Sequence, residues 1–106
     1  MNKSIIFLAF LLFFACSSGV EVSESEIETA IQKSDDFGLH NKAFIRATLD
    51  LVKSGQCTIS ELAELGGWMK SVINHKVEPV YFIYCGGMNR SNRIYFNVET
   101  EQTFTD

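Results

Sequence analysis

The apolar pattern of this chain changes period once, near its single proline, and that change divides the fold into helices before Pro79 and strands after it. Upstream, apolar residues recur three and four apart. Ile27, Ala30 and Ile31 give a narrow stripe, and Ser23 with Glu26, or Ser25 with Glu28, stands ahead of it at the spacing of a capping box. Asp35-Asp36-Phe37-Gly38 interrupts the pattern. Asn41 to Ser54 is the clearest helical run: Phe44, Ala47 and Leu51 line one stripe, Ile45, Leu49 and Val52 its neighbour, and Gly55 stops it. Thr58 with Glu61 opens a third segment, in which Ile59, Leu62 and Ala63 face one way. Gly66-Gly67 breaks that segment, because two glycines cost a helix interior about 2 kcal/mol relative to alanine. Trp68, Met69, Val72 and Ile73 then resume helical spacing, and Asn74 to Glu78 reads as a loop.

After Pro79 the period shortens. Val80 to Cys85 is β-branched and aromatic on both faces, as in a strand covered on both sides. Gly86-Gly87 begins a turn that Met88 to Ser91 complete. Arg93 to Val98 alternates, with Ile94, Phe96 and Val98 on one face, and Thr103 to Thr105 is a short third strand. The expected fold is α+β: two or three N-terminal helices followed by a two- or three-stranded antiparallel β-meander.

The N-terminus reads as an address. Lys3 precedes an unbroken apolar run over residues 5–15. Eleven helical residues span about 16 Å, roughly half a bilayer core, so the run suits a secretory signal and not a membrane-spanning helix. Its end, Phe13-Phe14-Ala15-Cys16, resembles the lipobox of small exported bacterial lipoproteins, with Phe13 in place of the usual leucine. That resemblance implies lipidation of Cys16 and a periplasmic-side membrane anchor. The alternative is ordinary cleavage after Ser18 or Gly19, giving a soluble periplasmic or secreted protein. Residues 1–19 are thus the signal and lipobox region, 20–26 a polar acidic tether, and 27–106 a single small domain. Export permits disulfides, and once Cys16 is set aside Cys57 and Cys85 form the expected bridge, with two buried thiols as the alternative. Closing a loop of about thirty residues contributes roughly 3 to 4 kcal/mol, a large share of the stability of so small a domain.

Little in the chain points to catalysis. Nine basic against thirteen acidic residues exclude a basic nucleic-acid-binding domain. A nucleophile needs a partnering histidine, and only His40 and His75 are present, with no G-x-S-x-G elbow. No metal-ligand spacing occurs, although Cys57, His75 and Cys85 could converge. The neighbouring Asp35 and Asp36 suit a helix junction, and Glu61 with Glu64 a solvated face. No catalytic residue, metal or cofactor is therefore assigned.

What remains is a recognition surface, because Tyr, Trp and Arg dominate binding hot spots. Met88, Asn89, Arg90 and Arg93 mark a basic hairpin tip. Tyr81 and Tyr95 are placed on one exposed sheet face. Trp68 lies either in the core or with its indole N–H outward. Val80 to Gly87 followed by Arg93 to Val98 is similar to the first hairpin of periplasmic membrane-bound inhibitors of C-type lysozyme. It covers under a quarter of the chain, lacks a distinctive motif and is preceded by helices that family lacks, so no domain family is assigned. The functional expectation is a non-enzymatic envelope protein that binds another protein as an inhibitor, immunity or exclusion factor. Its alternatives are an assembly-accessory lipoprotein and, remotely, a small hydrolase built on His75. The membrane is met only through the N-terminal lipid.

Overall fold

The computed structural model describes residues 22–105; the signal region and Cys16 lie outside the described residues. In chain order the described elements are helices α1 (Glu24–Ile31), α2 (Phe37–Lys53) and α3 (Ile59–Leu65), then strands β1 (Met69–Lys70), β2 (Val80–Tyr84), β3 (Arg93–Asn97) and β4 (Gln102–Phe104). A 3-10 turn, Arg90–Asn92, leads into β3. The strands form one antiparallel meander in the order β1-β2-β3-β4. The fold is α+β, and its sheet has four strands where two or three were expected.

Local chemistry starts the helices. Ser23 Oγ accepts from the Glu26 N–H at 3.2 Å while the Ser23 N–H donates to Glu26 Oε1 at 3.1 Å. This reciprocal cap satisfies two otherwise orphaned donors and begins α1 at Glu24, so the end of the 20–26 tether is helical. Thr58 and Glu61 repeat the device for α3. α2 starts earlier than its apolar spacing suggests. Asp36 takes a left-handed conformation (φ 56°, ψ 31°), and its carbonyl accepts from the Leu39 and His40 N–H groups at 3.0 and 3.1 Å. The chain then kinks at His40 (φ -121°), which leaves the run from Asn41 as the regular part of the helix.

The extra strand corrects the expected continuation of helix past the glycines. Gly66 and Gly67 have φ of 94° and 101°, a left-handed pair that reverses the chain and delivers Trp68 extended. Ser34 and Asp35 then capture the extended backbone. The Trp68 N–H donates to Ser34 Oγ at 2.8 Å, the Asp35 N–H to the Trp68 carbonyl at 2.9 Å, and the Lys70 N–H to Asp35 Oδ2 at 2.8 Å. A Cβ at Gly67 would meet Ser34 Oγ and lie 3.0 Å from the Ile31 carbonyl, so this approach requires glycine. Met69 consequently pairs with Phe82 and Lys70 with Tyr81. Val72 and Ile73 fall in the loop before β2 and not on a helix face.

The helices cover one sheet face. Phe44 of α2 stacks on Trp68 at 5.8 Å between ring centroids, meets Tyr81 edge-on at 5.1 Å and touches Phe96. Ile27, Ile31, Leu62 and Ile83 complete a fully buried centre. Cys57, just before α3, is bridged to Cys85 at the end of β2, with 5.1 Å between their Cα atoms. Among the described residues no helix is long and apolar enough to cross a membrane.

Candidate functional site

Strand alternation gives the sheet a second face, directed away from the helices, and its residues are unusual for a surface. The register sets Phe82 opposite Tyr95, Tyr84 opposite Arg93, and Tyr95 opposite Phe104. Tyr95 is fully buried there, stacked on Phe104 at 5.4 Å and tilted against Phe82 at 5.9 Å. The Arg93 guanidinium lies 4.3 Å from the Phe82 ring centroid and 5.4 Å from that of Tyr84. Its Nη1 donates to the Tyr95 hydroxyl at 3.3 Å and its Nε to the Tyr84 hydroxyl at 3.0 Å. These phenol oxygens, Tyr95 first, raise the Arg93 pKa further and hold it charged. No carboxylate pairs with it among the described residues.

Beside this face the β1–β2 loop, residues 71–79, forms one wall of a groove of about 500 Å³. Met69, Val72, Ile73, Phe82, Arg93 and Asp35 line it. Lys70 braces the loop: its ammonium donates to the Glu78 carbonyl at 2.9 Å, that of Ser71 at 3.1 Å and that of His75 at 3.4 Å. His75 anchors the same loop from the other side, its ring edge-on to Tyr95 and Phe104 and its Nδ1 3.1 Å from Glu78 Oε1. The braced loop nevertheless presents apolar side chains to solvent, with Ile73 85% and Val77 93% exposed.

The sequence-selected surface residues divide. Tyr81 and Tyr95 do not share an exposed face: they belong to neighbouring pleats on opposite sides of the sheet, and both are buried. Tyr81 points to the helices, where its hydroxyl donates to Asp36 at 2.5 Å; burial, then the Asp36 carboxylate, pushes its pKa well above the usual phenol value. Trp68 is core, and its indole N–H donates inward to the buried Thr48 hydroxyl at 2.9 Å. Met88, Asn89 and Arg90 are exposed at the β2–β3 connection as expected, whereas Arg93 leaves that tip for the aromatic face. Cys57 and Cys85 are paired.

The catalytic alternative gains no geometry. No hydroxyl or thiol among the described residues hydrogen-bonds either His75 ring nitrogen, and Glu78 takes Nδ1. His40 is packed edge-on against Phe44 and Tyr81. Among the described residues no three metal-ligating side chains converge. Glu61, read from sequence as a cap, also accepts from the Gly86 N–H at 2.8 Å, tying α3 to the β2–β3 connection. That bond holds its carboxyl below the usual range, with the Thr58 bonds assisting.

The residues missed from sequence are Phe82, Phe104, Val72, Ile73 and Val77. Their signal was weak, because Phe82 alternates with core residues and Val72 and Ile73 imitate helical spacing. Comparison with protein-family models, curated proteins and solved structures finds no match to this chain.

Proposed function

We propose that this chain is a small exported lipoprotein of the bacterial cell envelope, anchored through Cys16, that acts by binding another protein and not by catalysis. The observation that carries the reading is the braced β1–β2 loop with Val72, Ile73 and Val77 exposed beside the aromatic sheet face. Several large apolar side chains held open to water on one braced loop mark an interaction site more often than a scattered surface residue does. The disulfide and the caps supply stability elsewhere, which leaves this surface free for recognition. Inhibition, immunity or exclusion of an incoming protein suits a domain of this size.

A native pull-down from gently solubilised envelopes, with a C-terminal tag that spares Cys16, tests the reading. One stoichiometric protein partner is expected, and a chain recovered alone would overturn it. Lipidation is checked separately. The Cys16→Ser variant should move from the membrane to the soluble fraction, and native protein with an unacylated N-terminus at Val20 would remove the anchor.

A further inference from the structure

We infer that the groove between the β1–β2 loop and the outer sheet face takes a partner segment in which a carboxylate lies next to apolar side chains. This deepens the binding reading above and rests on it. Met69 and Phe82, paired across β1 and β2, and Val72 and Ile73 of the loop line the groove, and Val77 is exposed further along the same loop. Val77 does not line the groove, so an occupant that covers both it and Ile73 has to extend beyond the roughly 500 Å³ of the groove, as a polypeptide segment does.

The charge pattern selects which polypeptide. The Arg93 guanidinium lies on the outer face, and its partners there are two phenol oxygens and two ring faces, none of them anionic. Lys70 also lines the groove, but its ammonium is committed to three loop carbonyls. Asp35 is the groove's acid, and it already accepts the Lys70 N–H. Arg93 is thus left to answer a partner's charge. A guanidinium spread on aromatic rings is already partly dehydrated and fixed in orientation, so it recognises a carboxylate at low entropic cost. Apolar neighbours of that carboxylate would cover Ile73, Val72 and Val77. The net charge of -4 disfavours general attraction of acidic chains, so recognition of the carboxylate is local to the groove, where Arg93 lies. It also disfavours an anionic membrane surface as the occupant.

Site-directed photocrosslinking in living cells tests this. A photoreactive amino acid replaces Ile73 in the full-length chain, and the crosslinked segment is mapped by mass spectrometry. The expected product is a protein segment with an Asp or Glu within a few residues of apolar side chains. Arg93→Glu should lower its yield about thirtyfold or more, the usual loss when one member of a desolvated charge pair is removed. Changing the partner's acid to arginine should restore the yield with Arg93→Glu. Because Arg93 also supports two tyrosines, Val77→Asp at a 93% exposed loop position provides a second variant and should lose the crosslink with an unchanged unfolding midpoint. Crosslinks to lipid, to another copy of this chain or to a basic segment would each overturn the inference. If position 73 gives no crosslink while the pull-down still recovers a partner, the groove assignment fails and the binding reading stands. If both are empty, both fail.

Discussion

Ser34 is a small buried residue with two hydrogen bonds on one hydroxyl, accepting from Trp68 and donating to the Ile31 carbonyl at 2.7 Å. Ser34→Ala leaves the Trp68 N–H without a partner in a dry setting, which costs about 1 to 3 kcal/mol. Urea unfolding should show that loss, and an unchanged midpoint would mean the amide has found water. Gly67→Ala meets the same hydroxyl from the other side and adds left-handed strain. Its loss and that of Ser34→Ala should therefore combine non-additively in a double mutant. Glu61 makes a pH prediction. Its folded pKa is depressed, chiefly by the Gly86 N–H, so its contribution is fully present above the unfolded glutamate value of about 4.3 and is lost as pH falls through the folded value. Glu61→Gln stays neutral throughout. Its stability should decline less steeply than the parent's between about pH 5 and 3 when both are titrated by urea unfolding. Parallel acid limbs would place the ionisation elsewhere.

At the scale of elements, sequence legibility followed the range of the interactions. The two capping boxes were readable because all their partners lie within three residues. β3 was readable because alternation is local. β1 was not, since what makes Met69–Lys70 a strand is Ser34 and Asp35, more than thirty residues upstream. The helical spacing of Trp68, Met69, Val72 and Ile73 was an accident of one core residue, one sheet residue and two loop residues. The proposed binding face was partly legible for a similar reason. Arg93 stood out as a charge, but its place on the rings depends on pairing with Tyr84 across the hairpin. The disulfide also joins elements, fastening the approach to α3 onto the end of β2 across 28 residues. Cys57→Ser and Cys85→Ser should each cost roughly 3 to 4 kcal/mol by denaturant unfolding, and the double mutant little more than either. Additive losses would mean that each sulfur matters mainly through its own packing.

At the scale of the whole molecule, the sheet separates the core from the surface proposed for recognition. Its inner face packs Tyr81 and Phe96 against Phe44 and Trp68 in the core, while the β1–β2 loop, with Phe104 at the edge of the outer face, keeps apolar surface in water. Such a surface has a consequence for the isolated protein, because exposed aliphatic side chains associate with one another when no partner covers them. Ile73 is 85% exposed, so removing it should change unfolding free energy by no more than about 0.5 kcal/mol. It should nonetheless weaken self-association, seen as a smaller rise in sedimentation coefficient with concentration. Ile73→Ser and Ile73→Asp separate the causes. Both remove the apolar group, but only the aspartate adds charge to a molecule already at -4. Equal effects of the two would assign the association to the exposed side chain, whereas an effect confined to aspartate would assign it to charge repulsion. A marked fall in stability with either would show instead that the loop's apolar residues belong to the fold, and the outer surface would lose its claim to be kept open for a partner.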